Sequence, residues 1–488
     1  MNSPGLAPTM AETHSAIVFF VGDRAFKLKK PVDLGFLDFT TVAARRAACH
    51  REVELNRRLA PDVYLGVADV LDVDGTECDH LVVMRRMPAD RRLSTLVGAD
   101  APVDDHLRRL AHLLATLHAR SPRSDDADRA TDVRATRGRW RANTDEMLCM
   151  SVLADDAGAI EVLQALADRY LDGRAPLFAG RIARGRAVDG HGDLLADDIF
   201  CLDDGPRVLD CIEFDDRLRL GDGLADAAFL AMDLERLGRP ELGEQFLEAY
   251  RAHRGDAWPA SLAHHQVAYR AQVRAKVAAI RAAQGDPEAL AEARSLLAIA
   301  RDHLDAARVR LVLVGGLPGM GKSTLATGLG ASLDATVLRS DEARKEQAGI
   351  PVVESAAADF GTGIYTAEAT AATYEMLLAR AEIALGLGES VVLDATWTSA
   401  GWRAQARAVA DAARADLVQL RCHAPEPVAR ARMAARAARG GDPSDATPAI
   451  ALALEGASEP WPEATAIDTV GTPAASLAMA IGAATRPQ

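Results

Sequence analysis

The chain is poor in several residue types, and each scarcity argues against a class of protein. Aromatic residues make up 5% of its 488 residues, and six residues are cysteines. The cysteines form neither a Cys-x-x-Cys pair nor a cysteine–histidine cluster with zinc-finger spacing, which argues against a disulfide scaffold and a structural zinc site. We expect reduced thiols in a cytoplasmic protein.

Positive charge is also in deficit, with 56 lysine and arginine residues against 70 aspartate and glutamate residues. Proteins that bind nucleic-acid backbones are usually basic, so general nucleic-acid binding is not expected, although a local basic groove is compatible with the net charge of −14. No apolar run approaches the roughly 18 residues that cross a bilayer, and residues 1–17 lack the regions of a signal peptide. We expect no membrane partner, and the oligomeric state stays open.

Two different arrangements of predicted elements follow one another along the chain. Residues 1–303 begin with short strands and a charged helix, which predicts a small antiparallel lobe over about 1–90. Mostly helical sequence follows, with a polar loop predicted over 121–138. Residues 306–488 alternate apolar strands with helices, which is typical of a parallel α/β sheet.

The segment with the sequence GLPGMGKST fits the pattern G-x-x-x-x-G-K-S/T, between a predicted strand and a predicted helix. Its glycines allow backbone N–H groups to surround phosphate oxygens. Lys322 is expected to bridge the β- and γ-phosphates of ATP, and Ser323 to ligate Mg²⁺. The predicted nucleotide-binding residues are Gly316, Leu317, Pro318, Gly319, Met320, Gly321, Lys322, Ser323 and Thr324.

Further candidates follow this P-loop. Asp341 and Arg344 form a D-x-x-R pair, in which the carboxylate could accept a proton from a hydroxyl and the arginine could hold an anion. A helix-capping aspartate with a solvated arginine is the alternative. Asp394 ends a predicted strand and is a candidate Mg²⁺ ligand. Arg432 and Arg436 lie one turn apart on a helix that either closes over phosphates or presents a solvated basic face.

Residues 306–470 resemble the small P-loop kinases, including polynucleotide kinase, gluconate kinase, chloramphenicol phosphotransferase and zeta-toxin relatives. The P-loop, SDEAR, VLDAT and the arginine helix followed by SDA carry the resemblance. It implies that Asp341 is the base and that Arg344 binds near the transferred phosphate. The acceptor is not implied, because these families use the motifs on different hydroxyl substrates.

A second catalytic pattern, HGDLLADDIF, occupies residues 191–200. With VLDCIEFDD and LADAAFLAMDLE, it makes residues 1–303 resemble the aminoglycoside phosphotransferases and choline kinases. The resemblance implies that Asp193 is the catalytic base and that His191 orients the loop. Asp198 takes the place of an asparagine that usually binds a metal.

The same resemblance assigns further roles in the first half. Glu213, in Ile-Glu-Phe, is the best match to the metal carboxylate, with Asp210 as its competitor, and Mg²⁺ accepts oxygen ligands from either. Lys27 is the candidate phosphate lysine, and Glu52 is its helix partner. Thr13 and Ser15 stand in place of a glycine-rich loop.

Nearly the whole chain resembles the bifunctional aminoglycoside phosphotransferase/ATP-binding proteins. This implies an α+β kinase-like two-lobed domain followed by an α/β P-loop NTPase domain, but it implies no physiological substrate. We expect each half to bind ATP and Mg²⁺, and at least the second half to transfer the γ-phosphoryl group to a hydroxyl of a small molecule. The alternatives are a regulatory protein with an N-terminal pseudokinase, favoured by Asp198 and Glu213, and a nucleic-acid 5′-end kinase. Arg270, Arg274 and Lys276 form either an anion site near the acceptor pocket or a snorkelling surface helix.

Overall fold

The structure is a computed structural model, which describes residues 9–12, 15–33, 37–351, 354, 362–439 and 447–485. Thr13 and the SDA stretch at 444–446 lie outside the described residues. The chain divides into two compact units. The first contains Met1–Gln164, Phe178–Trp258 and Ala263–Leu304, and the second contains Ala165–Leu177, Pro259–Leu262 and Asp305–Gln488.

The first unit begins with an antiparallel sheet in the order β1-β2-β3-β5-β4. Its core is made by apolar side chains of the sheet and of helix α1, among them Val53, Val63 and Val82. The hydroxyl of Thr41 accepts a hydrogen bond from Ala44 N and caps α1. The predicted small antiparallel lobe is therefore confirmed. Its elements are β1 (Thr9–Glu12), β2 (Ala16–Val21), β3 (Arg24–Lys29), α1 (Val42–Asn56), β4 (Tyr64–Leu71) and β5 (Glu77–Arg85).

Helices and two short antiparallel strand pairs, β6–β9 and β7–β8, make up the rest of residues 86–306. The elements are α2 (Leu93–Gly98), α3 (Asp104–Arg120), α4 (Asp125–Thr131), α5 (Val133–Leu148), α6 (Ala157–Asp172), α7 (Ala175–Ala183), β6 (Ala187–Asp189), β7 (Ile199–Leu202), β8 (Gly205–Val208), β9 (Leu220–Asp222), α8 (Gly223–Arg236), α9 (Pro240–Arg254), α10 (Ala260–Ala283) and α11 (Ala289–Ala306).

The loop predicted over 121–138 is wrong, because α4 and the start of α5 occupy most of it. The polar residues that indicated turns act as helix caps instead. Ser124 Oγ accepts from Ala127 N, and Asp132 Oδ1 accepts from Arg134 N. Side chains of this type favour both turns and helix N-termini.

The second unit contains a fully parallel sheet in the order β11-β12-β10-β13-β14. Val312, Val392 and Val418 of its central strands are buried, as the continuous apolar runs predicted. The elements are β10 (Arg310–Gly315), α12 (Lys322–Ser332), β11 (Thr336–Arg339), α13 (Ser340–Gln347), α14 (Ala367–Gly386), β12 (Val391–Asp394), α15 (Ala400–Ala412), β13 (Asp416–His423), α16 (Glu426–Arg439), α17 (Pro448–Gly456), β14 (Thr465–Asp468) and α18 (Pro473–Ala484).

The sheet topology places the candidate residues of this unit. The carboxyl ends of parallel strands meet at one edge of a sheet, and ligands of open α/β sheets bind there. The P-loop follows β10, and Asp394 ends the adjacent strand β12 in register with Val314. Among the described helices of the whole chain, none combines the length and the apolar character needed to span a bilayer.

Candidate active sites

Two lysines of strand β3 meet a buried carboxylate of helix α1. Lys27 Nζ lies 3.0 Å from Glu52 Oε1, and Lys29 Nζ lies 2.7 Å from Glu52 Oε2. Residues 27 and 29 share one face of the strand, because side chains alternate along it. Each lysine also binds a carboxylate that follows β8: Asp210 Oδ1 lies 2.6 Å from Lys27 Nζ, and Glu213 pairs with Lys29.

The opposite charges of Lys27, Lys29 and Glu52 hold these three groups in their ionised forms. Burial would lower the pKa of Lys27, but the carboxylates of Asp210 and Glu52 raise it well above its ordinary value. Burial would likewise raise the pKa of Glu52, and the two ammonium groups lower it. The cluster therefore presents a charged lysine that is suited to bind phosphate oxygens.

The loop that contains Asp193 is held by Asp226 of helix α8. The Asp226 carboxylate accepts hydrogen bonds from the backbone N–H groups of His191 and Gly192, each at 2.8 Å, and contacts His118 Nε2 at 3.0 Å. A Cβ at Gly190 would lie 2.6 Å from Asp226 Oδ2, so a side chain there would displace the loop. Asp226 and His118 were not predicted as site residues from the sequence, although a carboxylate inside the apolar pattern LADAAFLAM was a usable signal.

His191 contacts the segment that follows β8 through its side chain. Its Nε2 lies 3.0 Å from Leu209 O, to which it donates. Burial lowers the pKa of the imidazole, which favours its neutral form, and the tautomer with a proton on Nε2 donates this hydrogen bond. The predicted orienting role of His191 is compatible with these contacts.

Three aspartates form an acidic centre next to this loop. Burial, together with the charges of Asp210 and Asp193, raises the pKa of Asp198 well above its ordinary value. Burial also raises the pKa of Asp193, against the opposing effect of Arg274. Lys27 lowers the pKa of Asp210. A divalent cation would relieve the repulsion between Asp198 and Asp210, so this donor set fits Mg²⁺.

The geometry distinguishes Asp210 from Glu213. The Glu213 side chain is 9% exposed and paired with Lys29, whereas the Asp210 side chain is 51% exposed. Asp210 has a φ of 62°, a left-handed conformation that non-glycine residues adopt rarely and that occurs often at functional sites. Asp210 is thus the more accessible of the two candidate metal ligands, although Glu213 was the better match in sequence.

The P-loop of the second unit has the backbone that phosphate binding requires. Gly316, Gly319 and Gly321 have φ values of 132°, 78° and 87°. A Cβ would lie 2.7 Å from Cys422 O at Gly316 and 2.5 Å from Ala429 O at Gly319, so neither position has room for a side chain. Lys322 begins helix α12 and its Nζ donates to Leu317 O at 3.2 Å, across the loop.

One of the two predicted arginines of α16 contacts this loop. Arg432 contacts Gly319 O at 3.5 Å and Thr469 Oγ1 at 3.2 Å, so its guanidinium lies beside the P-loop backbone. The Arg436 side chain is half-buried on the same helix. Asp394 is buried at the end of β12, while Ser323 is exposed in the first turn of α12.

Asp341 and Arg344 lie in helix α13, directly after β11. Arg344 Nη1 donates to Ile364 O at 2.7 Å and to Thr370 Oγ1 at 3.1 Å, and its guanidinium lies 5.0 Å from the centre of the Tyr365 ring. Arg344 Nε is buried and has no hydrogen-bond partner among the described residues. Burial lowers the pKa of Arg344, and the charge of Asp341 opposes this shift. The charges of the two residues therefore act on each other.

The segments that contain the two candidate sites each match a known protein family. Residues 37–264 match the phosphotransferase enzyme family, and residues 311–459 match a family described as AAA domain. Proteins described as uncharacterized from Mycobacterium tuberculosis and Mycobacterium bovis are 45% identical over 460 residues, which span 94% of this chain and 92% of each relative.

Solved structures resemble one half each. A choline/ethanolamine kinase family protein from Mesorhizobium loti is 15% identical, with a TM-score of 0.38, over 62% of this chain and 92% of its own. The GDP complex of an aminoglycoside 2′-phosphotransferase is 17% identical, with a TM-score of 0.36, over 60% and 91%. A gluconokinase from Sinorhizobium meliloti is 20% identical, with a TM-score of 0.26, over 36% and 92%.

Proposed function

The chain belongs to the family, shared with the mycobacterial relatives, that joins a phosphotransferase segment to an AAA-type segment, and from this premise we propose that each half binds ATP and transfers its γ-phosphoryl group. The acceptor in each half is the hydroxyl of a small cytoplasmic molecule. The acidic net charge of −14 disfavours nucleic acid as the acceptor.

In the first site, we assign the phosphates to Lys27 and the proton transfer to Asp193. The acceptor oxygen attacks the γ-phosphorus while the bond to the β-phosphate oxygen breaks. Asp193 takes the hydroxyl proton, and ADP leaves with the electron pair of the broken bond. The contacts of Asp226 with the loop hold the Asp193 backbone in position before substrate arrives.

In the second site, the P-loop N–H groups and Lys322 hold the phosphates, and Asp341 takes the hydroxyl proton. Arg344 and Arg432 are placed to bind anionic oxygens. Mg²⁺ would bind Asp198 and Asp210 in the first site, and Ser323 and Asp394 in the second, where it would neutralise charge on the phosphates.

One observation carries the proposal most strongly for the first site. Asp193, Asp198 and Asp210 come together beside Lys27, although Lys27 is 183 residues from Asp210. Burial and the charge of Asp210 raise the pKa of both Asp193 and Asp198, and groups perturbed in this way are concentrated at functional sites. Such an arrangement is expected where a metal–phosphate complex binds.

The test is the transfer of label from γ-labelled ATP to a metabolite extract, followed by mass spectrometry of the products. Four full-length proteins are compared: wild type, Asp193→Asn, Lys322→Ala and the double variant. We expect each single variant to lose a different product and the double variant to lose both. ATP binding without any labelled product in all four would instead support a regulatory ATP-binding protein.

A further inference from the structure

Helix α10 carries two arginines beside the proposed base of the first site. Arg270 and Arg274 are one helical turn apart, so their side chains lie on the same face. Arg274 Nη1 lies 3.6 Å from Asp193 Oδ2, an ion pair that is too long for a hydrogen bond. Both arginine charges act on the Asp193 carboxylate.

Helix α5 adds a third guanidinium to this group. Arg139 lies 6.0 Å from the centre of the Tyr269 ring, and Arg270 lies 5.5 Å from the same ring and 4.6 Å from that of Phe229. The charge of Arg139 also acts on Arg270. We call Arg139, Arg270 and Arg274 the arginine cluster.

The arginine cluster has little negative charge to balance it. Arg270 Nε donates to Ala225 O, and Arg139 donates to Ala130 O and Thr136 Oγ1. Among the described residues, Asp193 is the only carboxylate within ion-pair distance of a member of the cluster. Asp226 also acts on Arg270, but its oxygens are occupied by the loop N–H groups and His118.

Other basic residues of the same helix are balanced, which makes the cluster a local feature. Lys276 Nζ lies 2.9 Å from Glu146 Oε2. Arg281 pairs with Asp286 at 2.6 Å and with Glu292 at 2.9 Å. The sequence predicted either an anion site or a surface helix for these basic residues. The pairing of Lys276 with Glu146 favours a surface position for Lys276, whereas Arg270 and Arg274 lie beside the first site.

The arginine cluster adjoins the base and not the metal carboxylates. The charges that act most strongly on Asp198 are Asp210, Asp193, Lys27 and Asp197, and no arginine is among them. Lys27 and the acidic centre account for the phosphates of ATP. The cluster therefore lies beside the proposed base, which an acceptor hydroxyl must approach.

Resting on the proposed function, we propose that the acceptor of the first site is an anionic hydroxy compound, whose phosphate or carboxylate group binds the arginine cluster. A guanidinium binds both groups through two parallel hydrogen bonds. A cationic amino alcohol would instead meet uncompensated positive charge beside Asp193 and would be rejected.

The test uses full-length protein carrying Lys322→Ala, so that transfer from γ-labelled ATP reports the first site. The acceptors are glycerol 3-phosphate, glucose 6-phosphate, glycerate and gluconate, against kanamycin, ethanolamine and glucosamine. We expect label on an anionic compound, and Arg274→Gln should raise its KM by about 10- to 100-fold, the range for a lost hydrogen bond to a charged group. Arg281→Gln, on the same helix, is the matched control and should leave KM unchanged.

A second measurement distinguishes a failure of the anionic-acceptor proposal from a failure of the proposed phosphotransferase activity. Calorimetry with glycerol 3-phosphate and gluconate, in the presence of a non-hydrolysable ATP analogue, should show binding that Arg274→Gln weakens. Labelling of a cationic compound with an unaltered KM in Arg274→Gln would overturn the anionic acceptor and keep the transferase. Absence of anion binding by calorimetry would also overturn it. No transfer to any acceptor, together with no effect of Asp193→Asn on ATP consumption, would overturn the transferase as well.

Discussion

Lys27 Nζ and Asp210 Oδ1 lie 2.6 Å apart, although 183 residues separate them in the chain. The ion pair joins strand β3 of the small lobe to the segment after β8. Tyr64 and Asn56 hold that segment, because Asp210 N donates to the Tyr64 hydroxyl and Cys211 N donates to Asn56 Oδ1. We expect a phosphate of bound ATP to replace Asp210 as a partner of Lys27, so that the Asp210 carboxylate becomes available to a cation.

Asp198→Asn should stabilise the protein when metal is absent. The pKa of Asp198 is raised, so the folded state binds its proton more tightly than the unfolded state, and ionisation costs stability as pH rises. We expect Asn to raise the first unfolding transition at pH 7 by about 2–4 °C, the shift for ~1 kcal/mol in a domain of this size. The difference in unfolding temperature between wild type and Asp198→Asn should vanish below pH ~4, the ordinary pKa of an aspartate carboxyl group.

Scanning calorimetry at pH 7 and pH 3.5 would measure this effect, and Asp155→Asn is the control, because Asp155 is exposed and is not among the charges that act most strongly on Asp198. Mg²⁺ should stabilise wild type more than Asp198→Asn. Equal unfolding temperatures at pH 7, with equal responses to Mg²⁺, would show that Asp198 takes no part in a metal site.

Asp226→Asn should lower kcat of the first site by about 10²-fold, since a displacement of about 1 Å in a catalytic loop costs roughly that much. An asparagine has one acceptor oxygen, so one of the two backbone N–H groups of His191 and Gly192 would lose its acceptor and face the amide NH2 group. ATP affinity should change little, because Lys27 and Glu52 are untouched. A drop in ATP affinity with unchanged kcat would contradict the positioning role.

Gly319→Ala should abolish ATP binding at the second site, because its Cβ would lie 2.5 Å from Ala429 O. Gly349→Ala is the matched control: its φ of 68° is also positive, but nothing lies within 4 Å of the added atom. The control should lose about 1 kcal/mol of stability from backbone strain and keep its ATP affinity. Fluorescent-nucleotide titration would compare them, and equal losses in both variants would refute the steric account.

Asp341→Asn should leave ATP affinity at the second site intact and reduce acceptor phosphorylation by about 10²–10⁴-fold, the usual effect of losing a general base. Transfer would be measured in an Asp193→Asn background to silence the first site. Glu342→Gln is the control, since Glu342 pairs with Arg339 and is next to Asp341 in sequence. Loss of ATP affinity in Asp341→Asn would instead place this carboxylate on the metal.

The sequence predicts the P-loop well, because phosphate binding fixes the spacing of contiguous residues such as Gly316 and Lys322. The sequence does not show which of Asp210 and Glu213 is available to a metal ion. That depends on which of the two pairs with Lys29, and the partner, Glu213, is 184 residues away in the chain. Helices α4 and α5 were missed for a local reason, since Ser124 and Asp132 favour turns and helix caps alike.

The central claim, that each half of the chain binds ATP, is tested most directly by the stoichiometry of ATP binding. Calorimetric titration of the full-length protein with a non-hydrolysable ATP analogue and Mg²⁺ should give two sites. Lys322→Ala should reduce the number to one, and Lys27→Ala combined with Lys322→Ala should reduce it to none. A wild-type stoichiometry of one that Lys322→Ala abolishes would contradict nucleotide binding in the first half.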